Sequence, residues 1–336
     1  MIFPFTALVN QEEMKTALIL NVIDPSIGGL LIMGEKGTGK STAVRALAEL
    51  LPELEAVRDC PFTCDADATL CSDCRDMLAQ QGHLHRETRK MRMVELPLGV
   101  TEDRLVGTLD IEHAIRHGEK RFEPGILADA NRNFLYVDEV NLLEDHIVDL
   151  LLDSAAMGVN TVEREGISFT HPARFMLVGT MNPEEGDLRP QLLDRFGLCV
   201  SVTSLRDKKQ RVEILKRKLL FDADPEAFHA AWAANQEMLA AMIIAARESV
   251  GAIPVDDAVL DKIVTITSAL SLDGHRADIV MMKAARAMAA YRGLSAIGSE
   301  EIRDASWLAL RHRLKRLPFE DAGAERDKVT AALAQV

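Results

Sequence analysis

The strongest chemical signal in the sequence is a glycine-rich octet that fits the pattern G-x-x-x-x-G-K-[ST]. It consists of Gly34, Glu35, Lys36, Gly37, Thr38, Gly39, Lys40 and Ser41. The octet follows an apolar run and opens a helical pattern, which is the context of a phosphate-binding loop. Glycines let backbone N–H groups curl around phosphate oxygens, and the helix N-terminus adds positive potential. We therefore predict a nucleotide site in which Lys40 reaches the β- and γ-phosphates and Ser41 ligates Mg²⁺.

A pair of carboxylates follows the apolar run at residues 134–137. Asp138 stands where a parallel strand would end, so it can hold Mg²⁺ through the ion's water shell. Glu139 can orient and deprotonate an attacking water, which favours hydrolysis over passive binding. An acidic cap between a strand and a helix is the alternative interpretation of this pair taken alone. Together with Lys40, the pair predicts an enzyme that hydrolyses a nucleoside triphosphate.

A neutral amide follows the next apolar run, which covers residues 175–178. Asn182 would emerge beside Glu139 at the same edge of the sheet, where it can position water or sense the γ-phosphate. An ordinary Asn-Pro turn with Pro183 is the alternative. The sequence contains no N-K-x-D motif for reading guanine. ATP is therefore the expected nucleotide.

Four cysteines lie close together between the octet and the acidic pair. Their spacing is Cys60-x3-Cys64-x6-Cys71-x2-Cys74. Tetrahedral Zn²⁺ takes four sulfur or nitrogen ligands, and the second pair has the usual spacing for a structural zinc site. The connection between the two pairs is short for a zinc ribbon, so free or redox-active thiols are the other interpretation. Cys199, within an apolar run, is predicted to be part of the core.

The overall charge and hydropathy limit the partners. The 336 residues carry a formal net charge of −13, which opposes the phosphate attraction that supplies most non-specific nucleic-acid affinity. We therefore expect no nucleic-acid partner. No apolar run approaches the roughly 18 residues that span a bilayer, and the first stretch lacks a basic signal flank. A cytoplasmic protein without membrane insertion is expected.

Apolar runs and helical patterns alternate in the N-terminal half, which predicts an α/β fold with a parallel sheet. Short-period alternation between Met157 and Arg174 predicts an inserted β-hairpin. After about Ser204 the patterns predict a smaller all-helical domain. Predicted strands cover 30–33, 134–137, 175–178 and 198–200, and predicted helices cover 43–51, 207–221, 225–250, 256–271, 276–291 and 299–315, with Ser299 as an N-cap and Gly293 as a C-cap.

Three runs of sequence carry a family resemblance. They cover residues 96–107 (LPLGVTEDRLVG), 136–143 (YVDEVNLL) and 186–197 (GDLRPQLLDRFG). Further matches, which extend the resemblance over most of the chain, lie at 124–127, 162–166 and 273–278. The sequence resembles the I (ATPase) subunits of magnesium chelatase, which are AAA+ P-loop proteins. The resemblance implies a AAA+ core with inserted β-hairpins and a helical lid.

The predicted elements and the resemblance together divide the chain into domains. Residues 1–205 are the expected nucleotide-binding α/β domain, residues 206–250 a helical linker, and residues 251–336 the C-terminal lid. The expected inserts in the first domain cover about 58–92, 97–125 and 158–173. In related rings the second and third of these elements contact partners, and tolerated surface loops are the alternative.

The resemblance also implies roles for two arginines. AAA+ proteins form homo-oligomeric rings with ATP at subunit boundaries, so Arg195 is implied to be an arginine finger for a neighbour and Arg276 a sensor in the lid. A finger contributes about 10³ to 10⁵ in turnover, so hydrolysis should depend on protein concentration. The alternatives are a surface ion pair of Arg195 with Asp194 and a solvated Arg276.

The function that the resemblance implies is that of a chelatase motor, which couples ATP hydrolysis to Mg²⁺ insertion into protoporphyrin IX in chlorophyll or bacteriochlorophyll biosynthesis. ATP and Mg²⁺ are the implied cofactors. The porphyrin is expected on an H subunit, with a D subunit between the two. Alternatives are a chaperone-like AAA+ or cobalt-chelatase subunit with another client, a scaffold that binds ATP without hydrolysis, and a DNA helicase or loader. The acidic charge disfavours the last, and Lys40 with Glu139 disfavours the scaffold.

Overall fold

The computed structural model describes residues 1–109, 122–164, 167–186, 188–272, 274–314 and 324–334. Some positions used in the sequence predictions lie outside the described residues, namely 110–121 of the insert at 97–125, Glu165, Gly166, Asp187, Asp273, and residues 315–323 and 335–336 of the expected lid. The chain divides into two compact units. One consists of Met1–Ala43 with Thr180–Val336, and the other of Val44–Gly179.

The strands confirm the predicted α/β class. In chain order they are β1 (Leu30–Gly34), β2 (Leu54–Val57), β3 (Arg86–Arg89), β4 (Met93–Leu96), β5 (Gly107–Leu109), β6 (Phe122–Pro124), β7 (Phe134–Val137), β8 (Val159–Arg164), β9 (Ile167–Pro172), β10 (Met176–Met181) and β11 (Leu198–Val202). A 5-stranded sheet has the order β11-β1-β10-β7-β4. The four predicted strands are β1, β7, β10 and β11. The sequence pattern missed β4 because Glu95 interrupts its apolar run.

Helices connect the strands and form the C-terminal part. In chain order they are α1 (Glu12–Ile23), α2 (Lys40–Leu50), α3 (Ser72–Gln81), α4 (Glu102–Val106), α5 (Ile126–Ala130), α6 (Asp145–Met157), α7 (Pro190–Leu193), α8 (Lys208–Ala223), α9 (Pro225–Ser249), α10 (Asp257–Ala269), α11 (Arg276–Tyr291), α12 (Ser299–Leu310) and α13 (Ala324–Leu333). The sequence pattern missed α1, because its last seven residues are all buried and no polar face marks the helical period. Within the described ranges, no single helix has the length and apolarity to cross a membrane, and only the bent pair Pro225–Ala252 and Asp257–Ala269 meets that test when taken together.

The C-terminal helices pack through small side chains. Helix α11 buries a series of alanines, which allows α12 to pack closely against it. The prediction of Gly293 as C-cap is wrong by one residue, because Arg292 is the C-cap of α11. Gly293 follows it with a φ of +68°, and its N–H donates to the carbonyl of Ala290. The prediction of Ser299 as N-cap is wrong. Gly298 is the N-cap residue, because the buried carboxylate of Glu301 accepts the Gly298 N–H at 3.0 Å and so begins the cap one residue earlier.

The inserted β-structure lies in the unit Val44–Gly179. Strands β8 and β9 form the predicted antiparallel hairpin, with Val162 opposite Phe169. Strands β5 and β6 pair antiparallel in the segment at 97–125, and β2 pairs with β3 on either side of the cysteine segment. The fold therefore has the predicted β-inserts in the same unit as β4, β7 and most of β10.

Strands β1 and β11 approach closely at the start of the octet. In the register Gly34↔Val202, a Cβ on Gly34 would lie 2.0 Å from the carbonyl oxygen of Val202. The φ of Gly34 is +148°, which side chains rarely adopt. Packing against β11 therefore requires glycine here, whatever the ligand requires.

Gly34→Ala is expected to lower the free energy of unfolding by about 1–3 kcal/mol or more, because β1 or β11 must move to admit the methyl group. Chemical denaturation measures the change. Gly251→Ala is the matched control, because a Cβ there would meet no atom within 4 Å. The control should change stability by no more than about 0.5 kcal/mol. Equal stability of the two variants would contradict the steric constraint.

Candidate nucleotide site

The octet forms an open loop between β1 and α2. Gly37 and Gly39 have φ values of +79° and +83°, and a Cβ on either would meet no atom within 4 Å. Lys40, the first residue of α2, is 9% exposed. Its Nζ donates hydrogen bonds to the carbonyl oxygens of Gly34 at 2.6 Å and Glu35 at 3.2 Å. The ammonium group is thus held inside the curve of the loop, beside the open glycines.

Neighbouring segments hold the loop in shape. The Thr38 hydroxyl donates to the Glu35 carbonyl at 3.0 Å, and the side-chain amide of Gln11 donates to the Thr38 carbonyl at 2.7 Å. The Lys36 ammonium lies 2.9 Å from a carboxylate oxygen of Glu185. Side chains of the variable octet positions thus brace the loop. Gln11 was not predicted, because a single glutamine outside the motif carries no signal.

An apolar cavity of about 440 Å³ adjoins the loop. Its walls come from the N-terminal segment (Phe3, Leu8 and Val9), from residues 203–205, and from α8, and the octet contributes residues 37–39. Arg217 of α8 fixes one wall by donating to the Ala7 carbonyl at 2.9 Å. The sequence did not reveal this cavity, because its lining is assembled from separate parts of the chain. The size and apolar lining are those of a small-ligand site.

The acidic pair follows β7 in the other unit. The Tyr136 hydroxyl donates to Asp138 Oδ1 at 3.2 Å, and Asp138 is exposed. Glu139 is half-buried and has φ 53° and ψ 55°, a left-handed conformation that is uncommon outside glycine. Such strain costs on the order of 1–3 kcal/mol and concentrates at functional sites. The pairing Gly179↔Val137 is parallel, so β7 and β10 end at the same edge.

Asn182 adopts the Asn-Pro turn that was the alternative to a catalytic role. Its Oδ1 accepts the N–H of Glu184 at 3.3 Å and caps the 3-10 turn Pro183–Glu185. The side chain is 9% exposed. The turn fixes the orientation of the amide, which is compatible with either interpretation.

Asp194 binds two arginines of the C-terminal helices. Arg276 Nη1 lies 3.0 Å from Oδ2, and Arg313 Nε lies 3.0 Å from Oδ1. The Arg276 side chain is 49% exposed, whereas that of Arg313 is 3% exposed. Arg195 follows Asp194 directly and is half-buried. The structure thus places Arg276 in an ion pair with Asp194. Arg313, which the sequence did not reveal, is the buried second partner of Asp194.

Comparison with known proteins assigns the chain to a family. The family model "Magnesium chelatase, subunit ChlI" matches residues 110–189, and the AAA lid domain model matches residues 260–332. The magnesium-chelatase 38 kDa subunit of Cereibacter sphaeroides is 51% identical over 99% of this chain and 98% of its own length. The chain belongs to the magnesium chelatase ChlI family.

Other members of the ChlI family are equally similar. A protein of Methanocaldococcus jannaschii, named as a homolog of the magnesium-chelatase subunit ChlI, is 54% identical over 98% of this chain and 90% of its own. A solved structure, a model of the complex between BchI and BchD of magnesium chelatase based on a cryo-EM reconstruction, also matches. The matched chain in it is 49% identical in sequence, the match covers 99% of this chain and 99% of the matched chain, and the TM-score is 0.55. The fold, with its helical lid, is that of AAA+ ATPases.

In this ChlI-family chain, Arg313 and His312 hold the segment that carries Arg195. Arg313 also donates to the carbonyls of Phe196 at 2.7 Å and Gly197 at 3.1 Å, and burial lowers its pKa to about 10. His312 Nε2 lies 3.0 Å from the Phe196 carbonyl. Burial, together with the charge of Arg313, places the pKa of His312 well below its ordinary value. The ring is therefore neutral and donates through Nε2.

The four cysteines meet in one buried cluster, which a metal site requires and which free thiols do not. Their ligand atoms all lie within 4.8 Å of one another, and all four are free thiols. Hydrogen bonds from the thiols of Cys64 and Cys71 hold the pKa of the Cys60 thiol well below its ordinary value. Cys199 lies elsewhere, in β11, and is fully buried as predicted.

His312 is expected to make folding stability depend on pH below about 6.5, the pKa of an unfolded histidine. The pKa of His312 is lower in the folded chain than in the unfolded chain. As the pH falls below 6.5, the unfolded chain therefore gains a proton that the folded ring does not. The contribution of His312 to the free energy of unfolding is full above pH 6.5 and decreases as the pH falls. The slope is at most about 1.4 kcal/mol per pH unit. His312→Gln keeps a donor for the Phe196 carbonyl but cannot titrate. Denaturation of both proteins between pH 5 and 8 measures the difference, and parallel curves would contradict a neutral His312.

Proposed function

We propose that this chain hydrolyses ATP and that turnover drives insertion of Mg²⁺ into protoporphyrin IX by a magnesium chelatase. The observation that carries the proposal is the Lys40 ammonium, held inside a glycine loop next to an apolar cavity. The loop is open where phosphates would bind, and the cavity of about 440 Å³ suits a nucleoside. Membership of the ChlI family supports the choice of reaction.

Each polar residue of the site has a distinct role in this proposal. Lys40 and the backbone N–H groups of the octet bind the phosphates. Ser41 and Asp138 hold Mg²⁺, which when bound neutralises charge on the β- and γ-phosphates. Glu139 orients water and accepts its proton. Asn182 positions the same water or senses the γ-phosphate.

We further propose that the site is completed in a ring of identical chains. Arg195 acts on the ATP of a neighbour, since it lies on a segment that Arg313 and His312 hold rigidly. Arg276 acts as the sensor of its own subunit. It can exchange Asp194 for phosphate, because it is half exposed and the buried Arg313 remains to neutralise that carboxylate.

The domains and partners follow the same proposal. Residues 251–336 form the lid, supported by the lid model at residues 260–332. Residues 1–205 form the ATPase domain, and 206–250 the linker between them. A D-type subunit is the partner, as BchD is of BchI in the cryo-EM complex. The inserts at 97–125 and 158–173 contact partners, and an H-type subunit carries the porphyrin.

The second candidate client is that of a cobalt chelatase or another AAA+ machine. The relative from Methanocaldococcus jannaschii is named only as a homolog, although it is as similar to this chain as the chelatase subunits are. The ATP chemistry is the same in each case, and the client differs.

Glu139→Gln is expected to bind ATP normally but to hydrolyse it about 10²–10⁴-fold more slowly, because it keeps the shape of the side chain and removes the base. Lys40→Ala should lose ATP binding, and hydrolysis with it. Calorimetric binding and phosphate release measure the two steps. The exposed Glu248→Gln and Lys209→Ala are matched controls that should behave like the parent. Unchanged turnover in Glu139→Gln would remove the proposed base.

Metal insertion is expected when this chain is mixed with candidate D and H subunits, protoporphyrin IX, Mg²⁺ and ATP. The fluorescence change of the porphyrin follows the reaction. Lys40→Ala should abolish insertion, and an unchanged rate would remove the motor role. ATP hydrolysis without insertion of Mg²⁺, but with insertion of Co²⁺ by cobalt-chelatase partners, would assign the second client.

A further inference from the structure

The cysteine cluster has the dimensions of a mononuclear metal site. The Sγ atoms of Cys60 and Cys71 are 3.9 Å apart. Zn–S bonds of about 2.3 Å in a tetrahedron place the sulfurs about 3.8 Å apart. The remaining sulfurs lie within 4.8 Å of one another. A cluster of several irons holds its cysteines farther apart than one ion does, so the spacing favours a single ion.

The local fold turns every thiol to one point. Asp59 and Thr63 have positive φ values of 61° and 48°, and each precedes a cysteine of the first pair. Cys71 is the N-cap residue of α3, and Cys74 lies in its first turn. The Cys71 N–H donates to Cys64 Sγ at 3.3 Å. This bond brings the two pairs together directly, so the short connection between them is long enough.

The buried, apolar surroundings of the cluster favour a bound metal ion over four unligated thiols. Each cysteine is at most 2% exposed, and the cluster packs with Val57, Phe62 and Ala128. A sulfur-lined point inside an apolar cluster suits a cation, since the metal offsets part of the negative charge of the thiolates where water is excluded. Tetrahedral sites with four sulfurs are typical of zinc. Among the described residues, these four cysteines form the group of three or more His, Cys, Asp or Glu side chains whose ligand atoms lie close enough together to hold a metal ion.

We propose that Cys60, Cys64, Cys71 and Cys74 bind one Zn²⁺ ion as four thiolates, and that this ion holds Phe62 against the hairpin β8–β9. Each thiol loses its proton to solvent as its Zn–S bond forms, so the site carries a net charge of −2. The role is structural, because four protein ligands leave no open position for a substrate. The inference is independent of the proposed ATPase chemistry.

Phe62 connects the zinc loop to both β-inserts. It lies between the first two cysteines and is 1% exposed. Its ring centroid lies 4.6 Å from that of His171, 5.9 Å from Phe169 and 6.2 Å from Phe122. The rings of Phe122 and Phe169 stack on each other at 4.1 Å. One aromatic group thus joins the cysteine segment, β6 and β9.

The backbone of Phe62 is also anchored next to the central strands. Its carbonyl oxygen accepts a hydrogen bond of 2.6 Å from the side-chain amide of Asn131. Asn131 Oδ1 accepts the N–H of Arg174 at 2.8 Å, just before β10. Asn131 is 2% exposed. The zinc loop is therefore tied to the starts of β7 and β10 as well as to the hairpin.

Elemental analysis of the purified chain tests the metal. The expected result is one zinc per chain, lost in Cys64→Ser and in Cys71→Ser but retained in Cys199→Ala, which removes the thiol outside the cluster. Since the serine variants can misfold, the parent is also titrated with an organomercurial while a zinc-sensitive dye reports release. Release of one equivalent supports the site. Absence of zinc, with four titratable thiols or with disulfides, overturns it, and iron in its place overturns the assignment to zinc.

Hydrogen exchange tests the structural role. Stripping zinc with a chelator is expected to speed amide exchange in β8 and β9 by about tenfold or more, with recovery on adding zinc back, while α10–α12 stay unchanged. Phe62→Ala should speed the same amides yet retain the zinc. Unchanged exchange in β8 and β9 after zinc loss would overturn the bracing role, whatever the metal content.

Discussion

The hydrogen bonds between the Lys40 ammonium and the carbonyls of Gly34 and Glu35 are the interaction on which the octet depends. A nearly buried cation is costly unless hydrogen bonds replace its water. The carbonyls of the loop supply them, so the ammonium group is held at the point where the proposed triphosphate would bind. Because β11 leaves no room for a Cβ on Gly34, the carbonyl that holds Lys40 is itself fixed.

Other residues with proposed roles are also held in position by their surroundings. Glu139 is held in a left-handed conformation at the end of β7, and the Asn182 amide is held by its own turn. The segment with Arg195 is held by Arg313, whose side chain is 3% exposed, and by the half-buried His312. The residues with proposed roles are thus held by neighbouring groups, whereas the Arg276 side chain is 49% exposed and can change partner.

The inserted segments pack against one another. One aromatic cluster joins three separate inserted segments, to which Phe62, Phe122 and Phe169 belong. Asn160 extends this connection with hydrogen bonds to His171 Nε2 and the Val106 carbonyl. The inserts therefore share one packed aromatic core, which is compatible with their proposed role as a partner-contacting face.

The sequence by itself determined the parts whose chemistry is local. The octet, the acidic pair and the buried strands β1, β7, β10 and β11 could be read directly, because a continuous apolar run and a fixed motif need no distant partner. Tertiary structure decided what depends on distant contacts. The cavity wall from Phe3 to Val9 and the buried Arg313 each require segments far apart in the chain to meet. The four thiols are close in sequence, and the turns at Asp59 and Thr63 and the start of α3 bring them together. Even the cap of α12 moved from Ser299 to Gly298, because the Glu301 carboxylate is buried beside Arg292 and reaches back to the Gly298 N–H.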